Sequence, residues 1–93
     1  MNINKNSFST CENPPKEVIN TLVNLANEGK WDSVLTKVLA LVETFPDSQF
    51  LHGMTGDAYF QTNDLNKAEV SYKKILKLDP TSANAHFNLG VVA

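Results

Sequence analysis

Four residue types recur in this chain at one interval. Pro46 and Pro80, Ser48 and Ser82, His52 and His86, and Gly56 and Gly90 each stand 34 residues apart. A period between 20 and 50 residues marks an array of supersecondary units, each unable to bury its apolar face alone. The repeated blocks are also of one kind, Phe45-Pro46-Asp47-Ser48 and Asp79-Pro80-Thr81-Ser82. Each places a proline, which ends a helix, two residues before a serine, which starts the next.

Between these stops the apolar residues keep a helical period. Val18, Leu22, Leu25 and Ala26 define one helix, and Trp31, Val34, Leu35, Val38, Leu41 and Val42 a second. Gly29 lies between them and is expected to close the first in a left-handed conformation. The next unit repeats the arrangement, with Leu51, Thr55, Ala58 and Tyr59 followed by Leu65, Ala68, Tyr72, Ile75 and Leu76. Asn63 stands where Gly29 stood, and Asp64 is placed to cap the following helix. A fifth helix starts near Ser82 with Ala85, Leu89 and Val92 on its apolar side. No stretch alternates with period two, so the expected class is all-α, a solenoid of antiparallel helix pairs with about five helices. The expected division is a polar leader, 1–13, and a repeat domain, 14–93, made of units 15–48, 49–82 and a half unit 83–93.

Composition narrows the partners. Eight lysines without a single arginine, a net charge of −2 and no basic run argue against nucleic acid. The apolar stretch Val34 to Val42 is interrupted by Thr36 and Lys37 and is far shorter than the roughly 20 residues of a membrane span. The leader has neither the apolar block of a secretory signal nor the arginines of a mitochondrial one, so a cytoplasmic location is expected. Cys11, the single cysteine, has no internal partner and no neighbouring cation to activate it, and is read as incidental.

The unit 49–82 resembles a tetratricopeptide repeat. His52, Thr55-Gly56 and Tyr59 on its first helix, then Ala68, Tyr72, Ile75 and Pro80, match that family's order of large, small and aromatic positions. The segment Ala83-Asn84-Ala85-His86-Phe87-Asn88-Leu89-Gly90 resembles the opening of another repeat. Unit 15–48 diverges, with Leu22, Val34 and Val38 at the glycine, alanine and aromatic positions. The resemblance implies a right-handed superhelix whose inner face is lined by the first helix of each pair and binds a protein or peptide.

The period and the resemblance together assign to that face Lys16, Ile19, Asn20, Val23 and Asn27, then Phe50, Met54, Asp57, Phe60 and Gln61, then Asn84, Phe87, Asn88 and Val91. Repeats that clamp acidic chaperone tails carry lysine, arginine and asparagine at positions that here are Ile19, Val23, Met54, Asn84 and Asn88, so that clamp is absent. An apolar segment anchored by Phe50, Phe60 and Phe87 fits better. Asn20 and Asn88, with Met54 between them, resemble an interrupted asparagine ladder.

No phosphate loop, nucleophile elbow or zinc-protease motif is present, and no catalytic residue, metal or cofactor is expected. Asp57 is the one groove carboxylate, expected to set specificity or to hold a structural hydrogen bond. His52 and His86 are read as bulk rather than as metal ligands, and Lys73-Lys74-Ile75-Leu76-Lys77 as a solvated face. The expected function is a non-enzymatic interaction scaffold. Two alternatives accompany it. One is the accessory arm of a larger glycosyl- or sulfotransferase, whose starts Asn13-Pro14-Pro15 and Phe45 to Gly56 resemble. The other is a module that self-associates weakly through the last helix, where Phe87 and Val91 are expected to lie bare.

Overall fold

The structure is a computed structural model that describes residues 12–92, so Cys11 and most of the polar leader lie outside the described residues. It contains helices α1 (Lys16–Asn27), α2 (Trp31–Thr44), α3 (Gln49–Gln61), α4 (Leu65–Leu78) and α5 (Ala83–Val92). Each packs on its neighbours in sequence, and no strand occurs among the described residues. The fold is an all-α helical repeat.

The turns inside the two units are built alike. After α1, Gly29 takes φ +75°, its N–H donates to the Ala26 carbonyl, and the Lys30 N–H reaches back to the Leu25 carbonyl. After α3, Asn63 takes φ 68°, its N–H donates to Phe60, and the Asp64 N–H reaches Tyr59 at 2.7 Å. Both are Schellman closures, which use one left-handed residue to satisfy carbonyls at a helix end. Asp64 Oδ1 then accepts from the Lys67 N–H and opens α4.

The joints between units repeat as well. Ser48 Oγ accepts from the Leu51 N–H, and Ser82 Oγ accepts from the Ala85 N–H, both at 3.2 Å. His52 Nε2 donates to the Pro46 carbonyl at 2.6 Å, and His86 Nε2 to the Pro80 carbonyl at 2.9 Å. A carbonyl oxygen only accepts, so both rings carry hydrogen on Nε2. These histidines do more than fill space: each ties a helix to the proline turn before it. The recurring Pro-x5-His spacing was the sequence signal for this bond. Ser48 also donates to Asn13 Oδ1, and Pro14 is buried. Asn13, assigned to the leader by sequence, is thus attached to the first joint.

Two apolar clusters form the interior. Leu22, Val34, Val38, Leu51, Met54 and Ala58 make the first, and Ala68, Tyr72, Ile75 and Ala85 the second. Gly56 explains the packing of the second unit. A Cβ placed on it would lie 2.5 Å from the Tyr72 ring, so only glycine admits that ring. In the first unit, Leu22 and Val38 occupy the corresponding positions and both are fully buried. The large member of the pair sits on the first helix there and on the second helix here, which conserves volume across the contact. Leu65, placed by the sequence pattern on the apolar side of α4, is instead exposed.

Candidate partner-binding groove

Two clefts meet at Asp57 and Asn88, which line both. The first, of about 360 Å³, runs between α3 and α5 over Gln49, Phe50, Met54, Ile75 and Asn84. The second, of about 350 Å³, is walled by Trp31, Phe60, Gln61, Tyr72, Phe87, Val91 and Val92. Sequence reasoning therefore named most of the lining from α3 and α5. Met54 is largely buried in the first cluster while bordering the first cleft.

The residues named on α1 lie elsewhere. Lys16, Asn20 and Asn27 are exposed, Ile19 is half-buried and Val23 is exposed, and none of them lines either cleft. Asn20 and Asn88 consequently do not share a cleft. Among the lining residues that were not named are Trp31 and Tyr72. Trp31 was read only as a core residue of α2 and Tyr72 only as packing against Gly56. Trp31 immediately follows the first Schellman turn, and that position was the available hint of a wall at this end of the groove.

Phe87 is 71% exposed and Val91 52%. Their exposure belongs to the groove, since both line the second cleft. A further bare side of α5 is marked by other residues. A Cβ on Gly90 would meet nothing within 4 Å, and His86 is exposed, whereas Gly56 is covered by Tyr72 and His52 is buried. Phe87 and Val91 thus lie bare as expected, and Gly90 and His86 add a second open side to the same helix.

Among the described residues Asp57 is the only charged side chain lining either cleft. Its Oδ1 accepts a hydrogen bond from the Tyr72 hydroxyl at 2.5 Å. The phenol is held well above the usual tyrosine range, first by burial, then by this hydrogen bond, then by the carboxylate's charge. The bond fixes the Asp57 side chain at the meeting point of the clefts. Among the described residues no second carboxylate lines either cleft.

The opposite side carries a smaller cleft of about 210 Å³ among Leu39, Val42, Tyr59, Val70 and Lys74. Lys67 Nζ stands 5.6 Å from the centre of the Tyr59 ring, and Lys73 pairs with Glu69 at 3.0 Å on an exposed helix face. That pair matches the i,i+4 arrangement expected for a solvated surface. Among the described residues no group of three or more His, Cys, Asp or Glu could hold a metal ion. No helix there is long and apolar enough to cross a membrane.

Paired helices with repeated turns and joints define a helical-repeat protein, and comparison with known proteins finds a similarity of that kind. Residues 56–93 match the TPR repeat family model. Over 83 residues the chain is 29% identical to Superkiller complex protein 3 of Mus musculus, a match that covers 89% of this chain. The chain spans about 5% of the length of that relative. No solved structure is significantly similar. Repeats of this family are in general protein-interaction modules.

Proposed function

We propose that the chain is a non-catalytic interaction scaffold that holds a partner segment in the groove formed by α3 and α5. The observation that carries this reading is the continuity of the two clefts through Asp57 and Asn88, with Phe50, Phe60 and Phe87 placed along them. A large exposed apolar side chain in a concave, mostly apolar surface is an anchor for a ligand. The amides of Gln61, Asn84 and Asn88 add donors and acceptors that suit the backbone of an extended or helical segment. The mouse relative is named as part of a complex, which agrees with a role in assembly.

Selection of random dodecapeptides against the chain tests the reading. Selected peptides are expected to carry spaced apolar or aromatic residues and to lose at least about tenfold in affinity for Phe87→Glu, whose side chain is an exposed wall of the groove. Peptides that bind Phe87→Glu as tightly as the unaltered chain would place recognition elsewhere.

A second reading rests on Gly90. The α5 side that Tyr72 covers on α3 is open, and an added helix from another copy of the chain would fill it. Light scattering over a concentration series is expected to find a weak dimer that Gly90→Glu abolishes and Phe87→Glu preserves. A mass equal to the monomer at every concentration rejects this association.

A further inference from the structure

The second cleft has a composition that a purely apolar ligand does not use. Trp31, Phe60, Tyr72 and Phe87 stand around it, and among the described residues Asp57 is its only charge and no lysine lines it. Aromatic faces carry negative electrostatic potential, and a cation within about 6 Å of a ring centre is attracted to it. A carboxylate at the same place strengthens that attraction, more so where water is partly excluded. Asp57 is half-buried and oriented by the Tyr72 hydroxyl, and a carboxylate with two oxygens keeps acceptor capacity after taking that one hydrogen bond. A volume of about 350 Å³ is at the low end of ordinary ligand pockets, suited to one side chain rather than to a whole cofactor.

We propose that this cleft receives an arginine or lysine side chain of the bound partner segment, stacked among Trp31, Phe60 and Phe87, with Asp57 as its counter-ion. The inference rests on the groove reading and adds a charge requirement to it. The partner segment is then basic at one position and apolar on either side. An acidic residue at that position is rejected, because it would face Asp57 without a compensating cation.

Three pentapeptides serve as probes: acetyl-Leu-Ala-Arg-Ala-Leu-amide and its counterparts with norleucine or glutamate at the centre. Each is titrated into the 15N-labelled chain of residues 1–93 and followed by amide chemical shifts. The arginine peptide is expected to move the resonances of Asp57, Phe60 and Asn88 and to bind about tenfold tighter than the norleucine peptide, with glutamate weakest. In Asp57→Asn, which keeps an oxygen to accept from Tyr72, that advantage is expected to fall to about threefold or less, the part that the rings alone supply. Phe87→Ala, an exposed position, is expected to weaken the arginine peptide on a folded chain. Equal binding of the arginine and norleucine peptides would overturn the charge requirement while leaving the groove intact. An undiminished arginine advantage in Asp57→Asn would also overturn it. If none of the three moves these resonances, the groove reading fails with it.

Discussion

Gly56→Ala is expected to destabilise the chain by about 2 kcal/mol, although alanine is the better helix former by about 1 kcal/mol. The new Cβ would lie 2.5, 2.8 and 2.9 Å from three atoms of the Tyr72 ring. That ring is 2% exposed and its hydroxyl is held by Asp57, so it cannot rotate out of the way without surrendering the hydrogen bond. Either α3 and α4 separate or the ring leaves its site, and both open the second cluster. Gly90→Ala is the matched control, one period further on. Its Cβ would enter open space, and the helix propensity of alanine is then felt without opposition, a gain of about 0.5–1 kcal/mol. Urea titrations of the two variants are therefore expected to shift the midpoint in opposite directions. A gain in both would mean that the Gly56 contact with Tyr72 does not constrain the fold.

Tyr72 gives the second large effect, seen at alkaline pH. Its phenol is raised above the ordinary value of 10.0 in the folded chain by burial and by Asp57. The folded state therefore keeps a proton that the unfolded state has released. Stability from this group is fully present below pH 10 and falls above it by about 1.4 kcal/mol per pH unit. Tyr72→Phe removes this loss and forfeits the hydrogen bond, which costs about 1 kcal/mol at neutral pH. Denaturation at pH 8 and pH 11 separates the terms, because the lysines and Tyr59 are common to both chains. The unaltered chain is expected to lose more stability over that interval than Tyr72→Phe. Parallel losses would show that the phenol titrates alike in the folded and unfolded chains.

Much of the architecture was legible because its determinants are local. The 34-residue period, Gly29 and Asn63 at the turns, and Ser48, Asp64 and Ser82 as caps depend on residues within a few positions of one another, and the structure uses them as read. The small-and-large rule also held, with Gly56 under Tyr72 as its clearest instance. The site was legible only in part. Helical period and resemblance assign a residue to a face, which suffices for Phe60, Phe87 and Asn88. Whether neighbouring faces converge depends on how successive pairs rotate, and that left the α1 residues outside the two clefts. Trp31 shows the reverse limit. An aromatic residue at the start of a helix packs against the first cluster and lines a cleft as well, and hydropathy records only the first of these. His52 was undervalued for a related reason, since bulk and a single directed hydrogen bond look alike in a pattern of large and small residues.

The joints have a consequence for how arrays of this kind change length. The repeated bonds at the entry of one unit into the next lie within Pro46 to His52, and again within Pro80 to His86: a turn, a serine cap and a bond from ring to carbonyl, with Asn13 joined to the first of them. The bonds of each connector are made within it or close to it in sequence, apart from the one to Asn13. Duplication or loss of one whole period leaves both connectors intact, whereas insertion of one residue between Ser48 and His52 turns the histidine about 100° around the helix and away from the proline carbonyl. Growth by whole periods is thus the inexpensive genetic step for such a chain, and drift by single residues at the connector is the one that folding opposes.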